Sequence, residues 1–136
     1  MSEVRKNTVS VREMDSKKKD VSILLVDPNN DSREDIYNFL LTSGFDKVQQ
    51  VDNITEAFYK ATTNFFDIIL VDLFMPEKSG LHLARQIQKQ TKLTKIILLV
   101  GDEYQPILNG AGAKLRLPSI LKSFVSRDLV GLLLKD

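Results

Sequence analysis

Two carboxylates close runs of apolar residues. Asp27 follows Ile23-Leu24-Leu25-Val26, and Asp72 follows Ile68-Ile69-Leu70-Val71. One acid at a strand end usually just caps the next turn. Two in equivalent places, far apart in sequence, are a sharper coincidence and make a candidate site. The rest of the side-chain inventory points to carboxylate chemistry as well. The chain has no Cys, which excludes disulfides, thiol nucleophiles and Cys-held zinc. His82 is the single His. Its offset from Leu81 and Ala84 puts it on the outer side of a helix, where a solvated His is expected. The segment after Asp72 reads Leu73-Phe74-Met75-Pro76-Glu77-Lys78-Ser79-Gly80 and is the most specific stretch of the sequence.

The elements that would position these acids alternate. Strands are expected at 23–26, 47–52, 67–72, 95–100 and 113–117. Helices are expected at 31–43, from Asn53 through Ala57, Phe58 and Ala61, at 79–90, and along Leu121, Phe124, Val125, Leu129, Leu132 and Leu133. Gly44 suits the end of the first helix. Asn29, Asn30 and Asp31 read as the turn and cap that open it; the alternative is that they stand in as metal ligands. Phe65-Phe66 is expected to close the second helix onto the core. Strand-helix alternation implies an α/β fold with a parallel sheet covered on both faces. The uniformly apolar strands belong in its middle and the polar-containing ones at its edges. Right-handed crossovers then favour a five-stranded parallel sheet of order 2-1-3-4-5 in a flavodoxin-like three-layer sandwich. In such a sheet ligands bind beyond the carboxyl ends of the strands at the switch in strand order, between strands 1 and 3, where Asp27 and Asp72 lie.

Residues 1–20 carry Lys17-Lys18-Lys19 among scattered acids and show no sustained period. They read as a flexible N-terminal tail, with a docking segment or short helix as the alternative, ahead of a domain over 21–136. The 19 Lys and Arg against 18 Asp and Glu leave a formal charge of +1, which argues against a nucleic-acid-binding surface. The longest uninterrupted apolar run, Ile96–Val100, is far short of the roughly 18 residues of a membrane span. With no leader pattern, a cytoplasmic protein is expected.

The loop Asp72-Leu73-Phe74-Met75-Pro76-Glu77-Lys78-Ser79-Gly80 resembles the phosphoacceptor segment of bacterial two-component response-regulator receivers, Asp-x-x-Met-Pro-x-x-x-Gly. Ile23–Asp27 is similar to that family's first strand and acidic pocket. Gly110-Ala111 and Pro118 fit the surroundings of its fifth strand. The resemblance covers about residues 21–135. It implies that Asp72 is the phosphoacceptor equivalent, that Asp27 is the first pocket acid, and that the Phe74 carbonyl with Asp27 and Asp72 would hold Mg²⁺. It also implies a histidine kinase or other signalling protein as partner, and an output domain that can lie beyond the chain end.

Four positions depart from the family pattern in this alignment. Pro28 falls where the second pocket acid is usual, Val100 at the Ser/Thr hydroxyl, Lys114 at the aromatic and Leu117 at the lysine. Losing a carboxylate weakens a Mg²⁺ site, and without hydroxyl or lysine a phosphoryl dianion lacks its donors. The short interval from Val100 to Gly110, containing Pro106, further implies a shortened fourth helix. The reading is a degenerate pseudo-receiver: a non-enzymatic interaction module that works without phosphorylation or a cofactor. The alternative is a working receiver phosphorylated on Asp72 by a histidine kinase. A flavin or nucleotide site is disfavoured, since Asp27-Pro28-Asn29-Asn30-Asp31 has no Gly and two acids. A haloacid-type phosphatase is disfavoured by the lack of Asp-x-Asp after strand 1. With Leu117 supplying no cation, at least one of Asp27 and Asp72 is expected to have a raised pKa through like-charge repulsion and desolvation, unless a basic side chain such as Lys78 swings in.

Overall fold

A computed structural model describes residues 11–76, 78–104 and 117–135. Its elements, in order, are α1 (Val11–Asp20), β1 (Ser22–Val26), α2 (Asn30–Thr42), β2 (Lys47–Val51), α3 (Ile54–Thr63), β3 (Ile68–Asp72), α4 (Gly80–Gln90), β4 (Lys95–Val100), a 3₁₀ turn (Asp102–Tyr104), β5 (Ser119–Leu121), a second 3₁₀ turn (Lys122–Phe124) and α5 (Val125–Leu134). The strands form one parallel sheet of order β2-β1-β3-β4-β5, the order that right-handed crossovers favour.

Alternation along the strands sorts the core into two layers. Leu24, Val26, Ile69, Val71, Ile96, Leu98 and Val100 face one way, onto Ala57 and Ala61 of α3 and Leu83, Ala84 and Ile87 of α4. Ile23, Leu25, Ile68, Leu70, Ile97, Leu99 and Ile120 face the other way, onto Ile36 and Leu40 of α2 and Val125, Leu129 and Leu133 of α5. Strands sandwiched like this are apolar throughout, which explains the continuous runs in β1, β3 and β4. Phe66 is buried at the end of α3, as expected, whereas its neighbour Phe65 is more than half exposed.

Two expectations need correction. Val11–Asp20 is helical, the alternative rather than the first expectation for that part of residues 1–20. Lys17, Lys18 and Lys19 fall in the last turn, where they complement the helix dipole. The Lys17 ammonium also donates to the Leu134 carbonyl (3.4 Å), tying α1 to the end of α5. The fifth strand is Ser119–Leu121, not 113–117. Leu98 N–H donates to the Pro118 carbonyl (2.9 Å), and Ser119–Leu121 align with Leu98–Val100. A three-residue edge strand with one buried residue, Ile120, is too short to produce a readable alternation. Residues 101–118 separate β4 from β5, and the expected shortened fourth helix lies outside the described residues. Residues 105–116, Lys114 among them, lie outside the described residues.

Candidate functional site

β1, β3, β4 and β5 end at the same edge of the sheet, with Val100 and Leu121 two residues beyond the level of Val26 and Val71. Val26, Val71, Val100 and Leu121 each point into the α3/α4 layer or pack against it. The residue that follows each therefore turns toward the α2/α5 side, above the core. Those followers are Asp27, Asp72, Gly101 and Lys122.

Three of them meet. Lys122 Nζ lies 2.6 Å from Asp72 Oδ2 and 3.1 Å from Asp27 Oδ2. Asp27 is fully buried and Asp72 is 6% exposed. The remaining carboxylate oxygens are also occupied. Asn29 N–H donates to Asp27 Oδ1 (2.9 Å) and Phe74 N–H to Asp72 Oδ1 (2.9 Å). The Ser32 hydroxyl donates to Asp27 Oδ2 and accepts from Lys122 Nζ (3.0 Å).

The lysine of the crevice is thus Lys122, not a missing group at Leu117. Leu117 packs against the α3/α4 core layer just before β5. Lys78, the other cation considered, is exposed at the loop after Met75-Pro76. The hydroxyl position also shifts. Val100 is fully buried among Val26 and Val71, and the strand end facing the crevice is Gly101. Neither residue carries an alcohol. A Cβ on Gly101 would stand 2.9 Å from both Oε atoms of Glu103, so an acid occupies the space a side chain there would fill. Nor has β5 an aromatic residue: it is Ser119-Ile120-Leu121.

The surrounding turns hold the acids in place. Asn29 caps α2 by accepting from Ser32 N–H, so the Asn29–Asp31 segment makes the turn and cap, with Asn29 as the capping residue and Asp31 already inside the helix, and Arg33 donates to the Asp27 carbonyl (2.8 Å). Gly80 lets α4 start against β3: its N–H donates to the Leu73 carbonyl (2.7 Å), and a Cβ there would stand 1.8 Å from the Asp72 carbonyl oxygen. Ser79 caps α4, and His82 is exposed, as its helical offset predicted.

Burial raises the Asp72 pKa above its usual 3.8, against the opposing pull of the Lys122 and Phe74 hydrogen bonds and the Lys122 charge; Asp27 adds a smaller push in the same direction. The direction agrees with the expectation from sequence, but desolvation dominates and a cation is present. Burial works to lower the Lys122 pKa, yet the hydrogen bonds and charges of Asp72 and Asp27 outweigh it and raise the pKa above 10.5.

As a metal site the crevice fits poorly. Magnesium needs open, near-octahedral oxygen ligation. Pro28 offers no carboxylate, every Asp27 and Asp72 oxygen already accepts a hydrogen bond, and no cluster of three or more acidic or His ligands occurs among the described residues.

The match to known proteins is broad. Residues 23–132 match the model of the response regulator receiver domain. The response regulator receiver protein CpdR of Brucella abortus is 30% identical over 79% of this chain and 89% of its own length. The transcriptional regulatory protein CiaR of Streptococcus pneumoniae is 29% identical over 61% of this chain. The chain spans only about a third of the length of CiaR and of other regulators it matches. Among solved structures, the response regulator TrrA of Thermotoga maritima, determined with Mg²⁺ and BeF, has a TM-score of 0.70 and 31% identity over 84% of this chain and 99% of that one. A receiver domain from Methylobacillus flagellatus, TM-score 0.71 at 23% identity over 83% of this chain and 95% of that one, shares the fold.

Proposed function

The chain belongs to the response regulator receiver domain family and so to two-component signalling; from that premise we propose that it is a pseudo-receiver, signalling through protein contacts without phosphorylation. The observation that carries this reading is the Lys122 bridge, which joins Asp27 and Asp72 directly while every oxygen of both acids is already held by a protein donor. The crevice holds the receiver shape with its own ammonium in the role a metal would otherwise take.

Charge supports the same conclusion. Two ionised acids and one ammonium leave one negative charge in excess. A phosphoryl dianion on Asp72 would raise that excess, and Gly101 supplies no hydroxyl to share the load. With Pro28 at the ligand position, no second acid recruits a compensating cation. Phosphoryl transfer depends almost wholly on such positioning and charge. The absence of an aromatic residue from β5 removes the side chain that would pass a change at the crevice to the sheet edge. The protein is accordingly read as a cytoplasmic, non-enzymatic partner for another signalling protein, with no cofactor and no direct contact with nucleic acid.

A second reading keeps Asp72 as a phosphoacceptor served by a histidine kinase, and one observation favours it: Lys122 is where a phosphoryl oxygen would need a cation. Incubation with Mg²⁺ and acetyl phosphate, followed by intact mass, separates the two. Unchanged mass is the expected result. A phosphoryl adduct that is lost in Asp72→Asn overturns the pseudo-receiver reading.

A further inference from the structure

Among the described residues, the hydroxyl that contacts both Asp27 and Lys122 is that of Ser32, and it comes from neither β4 nor β5. It sits in the first turn of α2, where the Asn29 cap fixes its backbone: Ser32 N–H donates to Asn29 Oδ1 (2.9 Å). Its Oγ is thereby wedged between two charged groups. It donates to Asp27 Oδ2 and accepts from Lys122 Nζ at 3.0 Å. The same Asp27 oxygen also takes Lys122 at 3.1 Å. Ser32, Lys122 and the buried Asp27 therefore form a closed triangle of polar contacts. With Lys122, Ser32 gives Asp27 Oδ2 two donors, and it holds Lys122 beside both carboxylates.

We propose that Ser32 is a positioning residue that shuts the crevice to divalent cations by keeping Asp27 and Lys122 engaged with each other. This rests on the metal-independent reading above and adds a residue to it: Pro28 removes a ligand, and Ser32 withholds one that remains. A hard cation must displace the donors on a carboxylate oxygen before it can bind there. Hydrogen bonds to ionised groups are among the strong ones, and removing one shifts an equilibrium by about tenfold.

The test titrates Mn²⁺ into ¹⁵N-labelled full chain and reads the broadening of the Asp27, Asp72 and Phe74 amide signals. Ser32→Val and Ser32→Thr match in shape and differ only by the hydroxyl; Ser32→Ala removes it with less bulk. Expected are wild-type behaviour for Ser32→Thr and about tenfold tighter Mn²⁺ binding for Ser32→Val and Ser32→Ala. Equal affinity in all four proteins overturns the inference. Failure of the parent reading shows differently, as a phosphoryl adduct on the wild-type chain by mass. Should one variant not fold, the other hydroxyl-free variant supplies the comparison.

Discussion

At the scale of single residues the crevice is governed by the cost of burying charge. Asp27 is fully enclosed, and the Lys122 side chain is 20% exposed. Breaking a buried pair from one side leaves its partner uncompensated, which costs more than the pair itself contributes. Lys122→Met is expected to destabilise the fold by about 3 kcal/mol near neutral pH, the low end for such pairs because Lys122 reaches solvent. Urea unfolding measures it, and adding Asp72→Asn to the variant should recover part of the loss. The acid itself sets a pH dependence. Its folded pKa lies above the unfolded 3.8, so the folded state keeps the proton longer. That contribution is complete below the unfolded value and is lost as pH rises through the raised one. Asp72→Asn should therefore lose stability less steeply than wild type from about pH 4 upward, in unfolding curves taken at successive pH values. An unaltered slope would mean that Asp72 titrates alike in both states. Both acids are legible from sequence because each ends an apolar run. Lys122 follows only Ile120-Leu121, too brief a run to mark a strand end, and its distance from Asp72 along the chain conceals the pairing.

At the scale of elements, close approach and open space give opposite answers for the same substitution. Gly80 starts α4 directly against the last residue of β3. Its missing Cβ would collide with backbone, the Asp72 carbonyl oxygen at 1.8 Å, and backbone cannot rotate away as a side chain can. Gly80→Ala is expected to cost several kcal/mol, on the order of 3, and to move the loop carrying Phe74. Gly131 lies within α5 with nothing inside 4 Å of a Cβ. There Ala should stabilise by about 0.5–1 kcal/mol through helix propensity and a less disordered unfolded chain. Thermal unfolding of the two variants should shift in opposite directions; a shared sign would remove the steric account of Gly80. The helices and the inner strands were readable because their burial repeats at the period of the element. β5 is hard to read because Ala113–Leu117 alternates in the sequence while Ser119–Leu121 has a single buried residue. The place of β5 fixes both the crevice lysine, Lys122, and the strand's lack of an aromatic residue. One boundary thus produced the apparent loss of the lysine, while Pro28 and the missing hydroxyl survive its correction.

At the scale of the whole molecule, a ligand that binds only the folded state raises stability by an amount set by its concentration over its dissociation constant. A receiver with an open Mg²⁺ site should therefore unfold at higher temperature as Mg²⁺ is added. In this chain the Lys122 bridge already balances the crevice, and the metal would have to displace hydrogen-bonded donors to gain entry. The melting temperature is expected to stay the same from zero to about 10 mM Mg²⁺, a range that would add about 1.4 kcal/mol if the dissociation constant were about 1 mM. Pro28→Asp restores an acid beside Asp27 and adds negative charge to a crevice that already has one charge in excess. Its fold should be less stable than wild type without metal and should gain stability with Mg²⁺. Differential scanning calorimetry of the two proteins across the titration compares both trends in one experiment. A wild-type melting temperature that climbs with Mg²⁺ would show that the ammonium gives way to the metal. The bridge would then be the resting state of a site that opens, and the Asp72 phosphoacceptor reading would take precedence.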